Sequence, residues 1–444
     1  LESTLSNIPA VALAAVLLFA LLANTGTDLR RLLSGRNVVL IGIASWFVLE
    51  AVTVPAALAA FTPGEYTLGV VAVGAATAAF LLGYRTTAGC PAFPRLARVI
   101  RPLDDPAVLW RLVLTGAIVG FAPIVYFSGT ELITNFESLL GMRASWGGVL
   151  ARGRYGDARA AFLMLEMFAT GVAPFAAVLL FDRRTSLGQR LVCAALVCWP
   201  MIRAFGTGTR SSLVTAVIPV LAVLYFRARP RTQRKMLIAA LLVLPLVYQL
   251  MAAIVISRGE GEFSWESHKK AEYVGNEMFR ELLFIQRKVP QQLDYQYGYV
   301  YYVQIVNPIP RFLWPDKPTL DTGLLMADMY GEVDATGEAT LTVSPGLIGE
   351  MYLNFGWFGV VGLSAFGGWL VRGWDQIVEL NPDSMVVRVY HAAGLAVLFI
   401  MGRSFTMNMF YGLLSFALLA WVFQRLAPAA LPGTAPSVPP GRAL

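Results

Sequence analysis

Glu50, Glu166, Arg203, Arg210, Arg258, Glu350 and Arg403 stand inside long apolar runs or at their edges. An ionised side chain is costly there unless it faces a wet cavity or another charge. Arginine so placed offers a planar fork that fits phosphate oxygens two at a time, and a nearby carboxylate accepts a proton from a hydroxyl. The set therefore marks a substrate path, and its cavity opens outward. Taken singly, each residue also reads as an interfacial charge snorkelling to water.

Two short stretches extend the set. In "FGTGTRSSL" (205–213) Gly206 and Gly208 allow close backbone approach, Ser211 and Ser212 are good N-caps, and the following helix turns its positive end to this point. With Arg210 this is an anion cradle, although neither a P-loop nor a G-x-G-x-x-G pattern is present; a tight helical hairpin with an interfacial arginine would look the same. In "NPIPRFLWPDKP" (307–318) Pro308, Pro310, Pro315 and Pro318 favour extended backbone. Arg311 and Lys317 are then presented beside the flat faces of Phe312 and Trp314. Sugars and lipid headgroups suit that surface, and so does a plain membrane anchor.

The elements that carry these residues are set by composition. With 57% hydrophobic and 14% charged residues in 444, the chain is far more apolar than a soluble domain. Apolar windows at 8–23, 38–60, 67–84, 107–127, 161–181, 191–205, 211–226, 236–256, 345–371, 389–402 and 408–424 predict an all-α integral membrane protein with about eleven transmembrane helices. No cleavable signal is evident at the start. Residues 1–427 form one polytopic unit, and the Pro-rich tail 428–444 is read as disordered.

The net charge of +7 does not imply a nucleic-acid partner, because the basic residues fall in short loops between apolar runs. Arg30, Arg31 and Arg36, then Arg85, Arg95, Arg98 and Arg101, then Arg183, Arg184 and Arg190, then Arg227 to Lys235 mark those loops, and the tail, as cytoplasmic. The outer side then holds a smaller loop, 128–160, and a larger one, 257–344. The larger loop opens with an amphipathic helix within 265–289, on which Tyr273, Met278, Leu282 and Ile285 recur near helical spacing and which Pro290 ends. It is expected to lie on the membrane or to cap a cavity. "YQYGYVYYVQIV" after it reads as a strand, a re-entrant segment or an aromatic belt.

Glu350 stands near the mouth of its apolar run, Asp328, Glu332, Asp334 and Glu338 form an acidic stretch of the larger loop, and an ion-pair role fits Glu350. Arg258 and Arg403 converge on the side of Arg210 and Arg311. Arg143, Arg152 and Arg154 of the smaller loop join them or are simply solvated. Glu50 and Glu166 are read as structural partners of arginines. Cys90, Cys193 and Cys198 lack metal-ligand spacing and are read as packing residues, and His268 and His391 stand apart, so no metal site and no cofactor is expected.

The order "GTGTRSS", a large external loop, "NPIPRFLWPDKP", then "VSPGLIGEMYLNFGWFGVVG" (343–362) resembles the bacterial O-antigen polymerases, or oligosaccharide repeat unit polymerases. The resemblance covers roughly 200–365; before it only hydropathy and topology agree. It implies a GT-C-like glycosyltransferase of the bacterial inner membrane, with its site facing the periplasm. Donor and acceptor would be oligosaccharides on undecaprenyl diphosphate, handled among membrane lipids and with a chain-length regulator as a further partner. Arg210, Arg311 and Glu350 would be catalytic, Glu350 being favoured over Asp328, Glu332, Asp334 and Glu338 as proton acceptor for the acceptor hydroxyl because it sits beside the family-like Gly349 and Tyr352; Arg258, Arg403, Lys317, Trp314, Tyr352, Arg143 and Arg154 would bind substrate. A ligase moving finished glycan onto an acceptor is the near alternative. A lipid-linked sugar flippase is the distant one, against which stand the absence of a repeat and the one-sided charges.

Overall fold

Helix starts in this chain are set by capping residues. The Ser34 side chain accepts from Asn37 N (3.3 Å), Asp105 from the N–H groups of Ala107 and Val108, and Ser384 from Val387 N (3.1 Å). Thr62 and Glu65 form a reciprocal capping box ahead of Pro63 at the first helical position. The computed structural model describes residues 8–26, 29–53, 58–129, 162, 164–207, 210–240, 242–243, 278–310, 313–318, 325–326, 329–331 and 343–426, and among these there is no strand.

The first half of the chain gives α1 (Ile8–Thr25), α2 (Gly35–Thr53), α3 (Pro63–Tyr84), the short α4 (Ala92–Ile100), α5 (Pro106–Ser128), α6 (Glu166–Leu180) and α7 (Leu187–Thr207). The second half gives α8 (Arg210–Arg227), α9 (Met278–Lys288), α10 (Tyr299–Val306), α11 (Gly346–Glu379), α12 (Met385–Met401) and α13 (Tyr411–Leu426). Among the described residues α1, α2, α3, α5 and α11 are the five helices long and apolar enough to cross a membrane; α6, α8, α12 and α13 are shorter apolar helices. The chain is a helical membrane protein. The expected span 236–256 is described only as far as residue 243.

Glycine lets backbones meet where α3 crosses α11, since a methyl on Gly83 would run into the Ala365 carbonyl and one on Gly368 into the Phe80 carbonyl. One apolar core joins α1, α2, α3, α9 and the start of α11, and another joins α4 to α7, α12 and α13. The helices run between two chemically distinct ends. At one, Arg227 donates to the carbonyls of Phe181 and Val178, Arg388 lies over Phe226, Gln424 reaches the Val99 carbonyl, and Asp375 receives Gly35 N, Tyr84 and His391. This basic end gathers the arginine-rich loops. At the other, Glu50, Glu65, Glu166 and Glu350 each hold two elements together.

Several sequence expectations change. The helix expected on the membrane or over a cavity is described from Met278, and its apolar face packs on the helices: Phe279 and Leu283 fill the space beside Gly69 of α3, and Met278 and Leu282 lie against the start of α11. The "YQYGYVYYVQIV" stretch is not a strand: it holds a short helix, α10, entered through left-handed Tyr297 (φ 47°) and Gly298 (φ 87°). The span at 345–371 is longer, to Glu379, and is broken at Gly356 (φ 60°, ψ −143°). Glu50 accepts from the N–H groups of Phe279 (2.8 Å) and Arg280 (3.3 Å) at the start of α9, where a carboxylate meets the positive end of the helix. Glu166 pairs with Arg203 at 3.0 Å, as a structural partner should.

Candidate functional site

The break in α11 builds the site. At Gly356 a side chain would strike the Tyr295 ring, and the backbone leaves helical geometry, so the preceding carbonyls lose their partners. The segment before α10 supplies replacements: Gln296 N donates to Leu353 O (3.0 Å) and Tyr297 N to Asn354 O (2.9 Å). Asn354 then ties the two helices, accepting from Gly298 N (3.0 Å) and donating to Glu350 O (2.8 Å). A half-helix, 346–355, thus ends against α10 within the protein, the setting in which irregular backbone is tolerated at membrane depth.

Glu350 lies in that half-helix and is fully buried (0% exposed). One carboxylate oxygen accepts from Ser404 Oγ (2.5 Å) and the other from Phe405 N (2.8 Å). Both donors sit in the turn after α12, and the same turn offers Gly402 O to Leu347 N (3.0 Å). Arg403, next in that turn, has its guanidinium 3.4 Å from Ser344 Oγ and 5.8 Å from the centre of the Trp46 ring. Trp46 is held by its indole N–H on Phe399 O (2.9 Å), and it projects from a π-helical turn, Ala44–Val48, within α2.

Tyr301 of α10 completes the group. Its ring meets Phe405 edge-on, centroids 5.5 Å apart. Its hydroxyl oxygen is shut off from water and has no hydrogen-bond partner among the described residues. Burial first, and the neighbouring charge of Glu350 second, push its phenol above the ordinary tyrosine range. It stays a neutral donor at any working pH.

Of the residues expected from sequence, Glu350 of α11 is bonded to Ser404 and Phe405, which follow Arg403 in the turn after α12. Tyr352 lies two residues from Glu350 but is buried between Tyr295 and Trp357 (centroids 6.4 and 6.2 Å). Lys317 is buried, its ammonium donating to Asn307 O and Ile309 O at 2.7 Å each. The segment 307–318 is therefore not extended where it is described. Leu313 and Trp314 donate to Pro310 O and Lys317 N to Trp314 O, and the lysine closes these turns from within. Trp314 is half-buried. Arg210 opens α8, so Ser211 and Ser212 fall inside the first turn instead of preceding it. Arg143, Arg154, Arg258 and Arg311 lie outside the described residues.

Sequence reasoning missed Tyr301, Ser404, Phe405 and Trp46. Arg403 was singled out, and "RSF" following an apolar run was the one signal for its neighbours; nothing marked Tyr301 among the tyrosines around it. Among the described residues no group of three His, Cys, Asp or Glu side chains is arranged to hold a metal ion. Comparison with protein-family models, with curated proteins and with solved structures finds no match.

Proposed function

We propose that the chain is a GT-C-like membrane glycosyltransferase that joins oligosaccharide repeat units carried on undecaprenyl diphosphate. The observation that carries this reading is a buried carboxylate, Glu350, bonded to the turn that also carries Arg403, at the end of the helices opposite the basic loops. By the positive-inside rule that end faces the periplasm of a bacterial inner membrane, with about eleven crossings in all. The motif order "GTGTRSS", "NPIPRFLWPDKP" and "IGEMYLNFG" supports the polymerase family over other membrane transferases.

The chemistry follows from the groups. A hydroxyl oxygen of the acceptor sugar attacks the anomeric carbon of the donor, and the bond from that carbon to the diphosphate oxygen breaks. The electron pair leaves with the lipid diphosphate, whose charge Arg403 neutralises, joined in this reading by Arg210, Arg258 and Arg311. The hydroxyl proton passes to the Glu350 carboxylate and then to water. That carboxylate is held in place by Ser404 and Phe405, which fixes its oxygens for the incoming proton. Lys317 serves by shaping the 307–318 segment. Arg143 and Arg154 are further contacts of the glycan, and a chain-length regulator is a further partner.

The test is elongation by the purified protein in nanodiscs, given one lipid-diphosphate-linked repeat unit as both donor and acceptor, in excess EDTA. A ladder of longer lipid-linked glycans is expected. Transfer only to a different acceptor would make the protein a ligase, and movement of the unit across the bilayer without transfer would make it a flippase.

A further inference from the structure

Among the described residues the Tyr301 hydroxyl is buried without a hydrogen-bond partner, and it is the one such side-chain group set against the turn that holds Glu350. A buried hydroxyl without a partner weakens a fold, and native proteins rarely keep one unless it serves something else. Phenylalanine would fill the same space against Phe405 at no such cost, so packing does not explain a tyrosine here. The position supplies a reason: the hydroxyl belongs to a ring set against Phe405, the residue whose backbone N–H holds the Glu350 carboxylate.

We propose that Tyr301 positions the acceptor sugar, its hydroxyl bonding a ring hydroxyl of that sugar and so fixing which neighbouring hydroxyl faces Glu350. This rests on the polymerase reading above and names a specificity-determining residue within it. A neutral sugar suits the spot better than a diphosphate, because the adjacent carboxylate repels a second anion. The phenol remains protonated beside that carboxylate, and so offers the sugar a donor with no competing bond. Entry of the sugar parts the Tyr301 ring from Phe405, an edge contact that opens at little cost. Tyr302, the next residue, is 45% exposed and turned away from the site, and provides the control.

The experiment compares wild type, Tyr301→Phe and Tyr302→Phe in nanodiscs, reading the elongation rate against acceptor concentration together with the thermal unfolding midpoint. Tyr301→Phe should need roughly tenfold more acceptor, or lose about that factor in rate at limiting acceptor, for one lost hydrogen bond. Its unfolding midpoint should equal or exceed that of wild type, and Tyr302→Phe should match wild type in both. Elongation by Tyr301→Phe at the wild-type rate and acceptor dependence would overturn the assignment while leaving the polymerase reading intact. A fall in activity matched by a fall in the unfolding midpoint would also overturn it, since the hydroxyl would then be structural. Wild-type protein that elongates nothing would remove the polymerase reading and this assignment with it.

Discussion

α11 carries a buried carboxylate near each of its ends, and the two are served differently. Asp375, at the basic end, receives Gly35 N (2.7 Å), Arg36 N (3.4 Å), the Tyr84 hydroxyl (2.7 Å) and His391 Nε2 (2.8 Å). Its surroundings are tight: a methyl on Gly35 would press on Val371 and on the carboxylate itself. Glu350, at the acidic end, receives Ser404 and Phe405 and stands beside a phenol with no partner of its own. Both carboxylates fasten a turn to α11. They differ in what stands beside them: donors from α2, α3 and α12 close on Asp375, whereas Glu350 is flanked by the Tyr301 phenol, unpartnered among the described residues, and this separates a structural clasp from a site.

The contrast breaks most visibly at Asp375. Asp375→Ala strands the His391 ring, the Tyr84 hydroxyl and the Gly35 N–H together, and losing one partner of such a buried network costs about 3–5 kcal/mol. Folded yield and thermal midpoint should fall sharply, in fluorescence-detected unfolding of the detergent-solubilised protein. A midpoint within a degree or two of wild type would show that the network holds nothing.

Glu350→Gln sharpens the contrast from the other side. The amide oxygen still accepts one hydrogen bond from the 402–406 turn, so about 1–2 kcal/mol of stability is lost. Elongation should fall by roughly a hundredfold or more, as when a proton acceptor is removed. Loss of fold in proportion to loss of activity would make Glu350 a clasp like Asp375.

The smallest effect is expected in the wall of the acidic end. Gln286 of α9 is buried, with neither amide atom bonded among the described residues. Gln286→Leu should raise stability by about 1 kcal/mol, a shift of a few degrees in the thermal midpoint, with elongation unchanged. A fall in stability would mean that the amide has a partner in the folded protein.

The helical class was legible because apolar runs of this length have few other solutions, whereas the caps at Thr62, Asp105 and Ser384 begin helices up to four residues ahead of the apolar windows. Glu350 and Arg403 were legible because charge at the edge of an apolar run is conspicuous. The break at Gly356 was not, since glycine is common in membrane helices and the carbonyl partners that make this one a break, Gln296 and Tyr297, come from another part of the chain. Lys317 misled for a related reason: proline content implied extended backbone, and the two carbonyls that capture the ammonium appear only once the segment has turned on itself. Asp375 was overlooked altogether. Its partners at Gly35 and Tyr84 lie hundreds of residues away, and no local pattern reports such a contact.

The central claim, that the acidic end of this membrane protein transfers glycosyl groups with arginine in place of a bare cation, is met most directly at Arg403. The measurement is the elongation rate of Arg403→Ala and Arg403→Lys against wild type in nanodiscs with excess EDTA, on protein of matched thermal midpoint. Arg403→Ala should lose roughly a hundredfold, and Arg403→Lys should recover little, because a lysine ammonium lacks the planar fork that grips phosphate and stacks on Trp46. Wild-type elongation by both variants would contradict the account and leave Arg403 an interfacial arginine resting on a tryptophan.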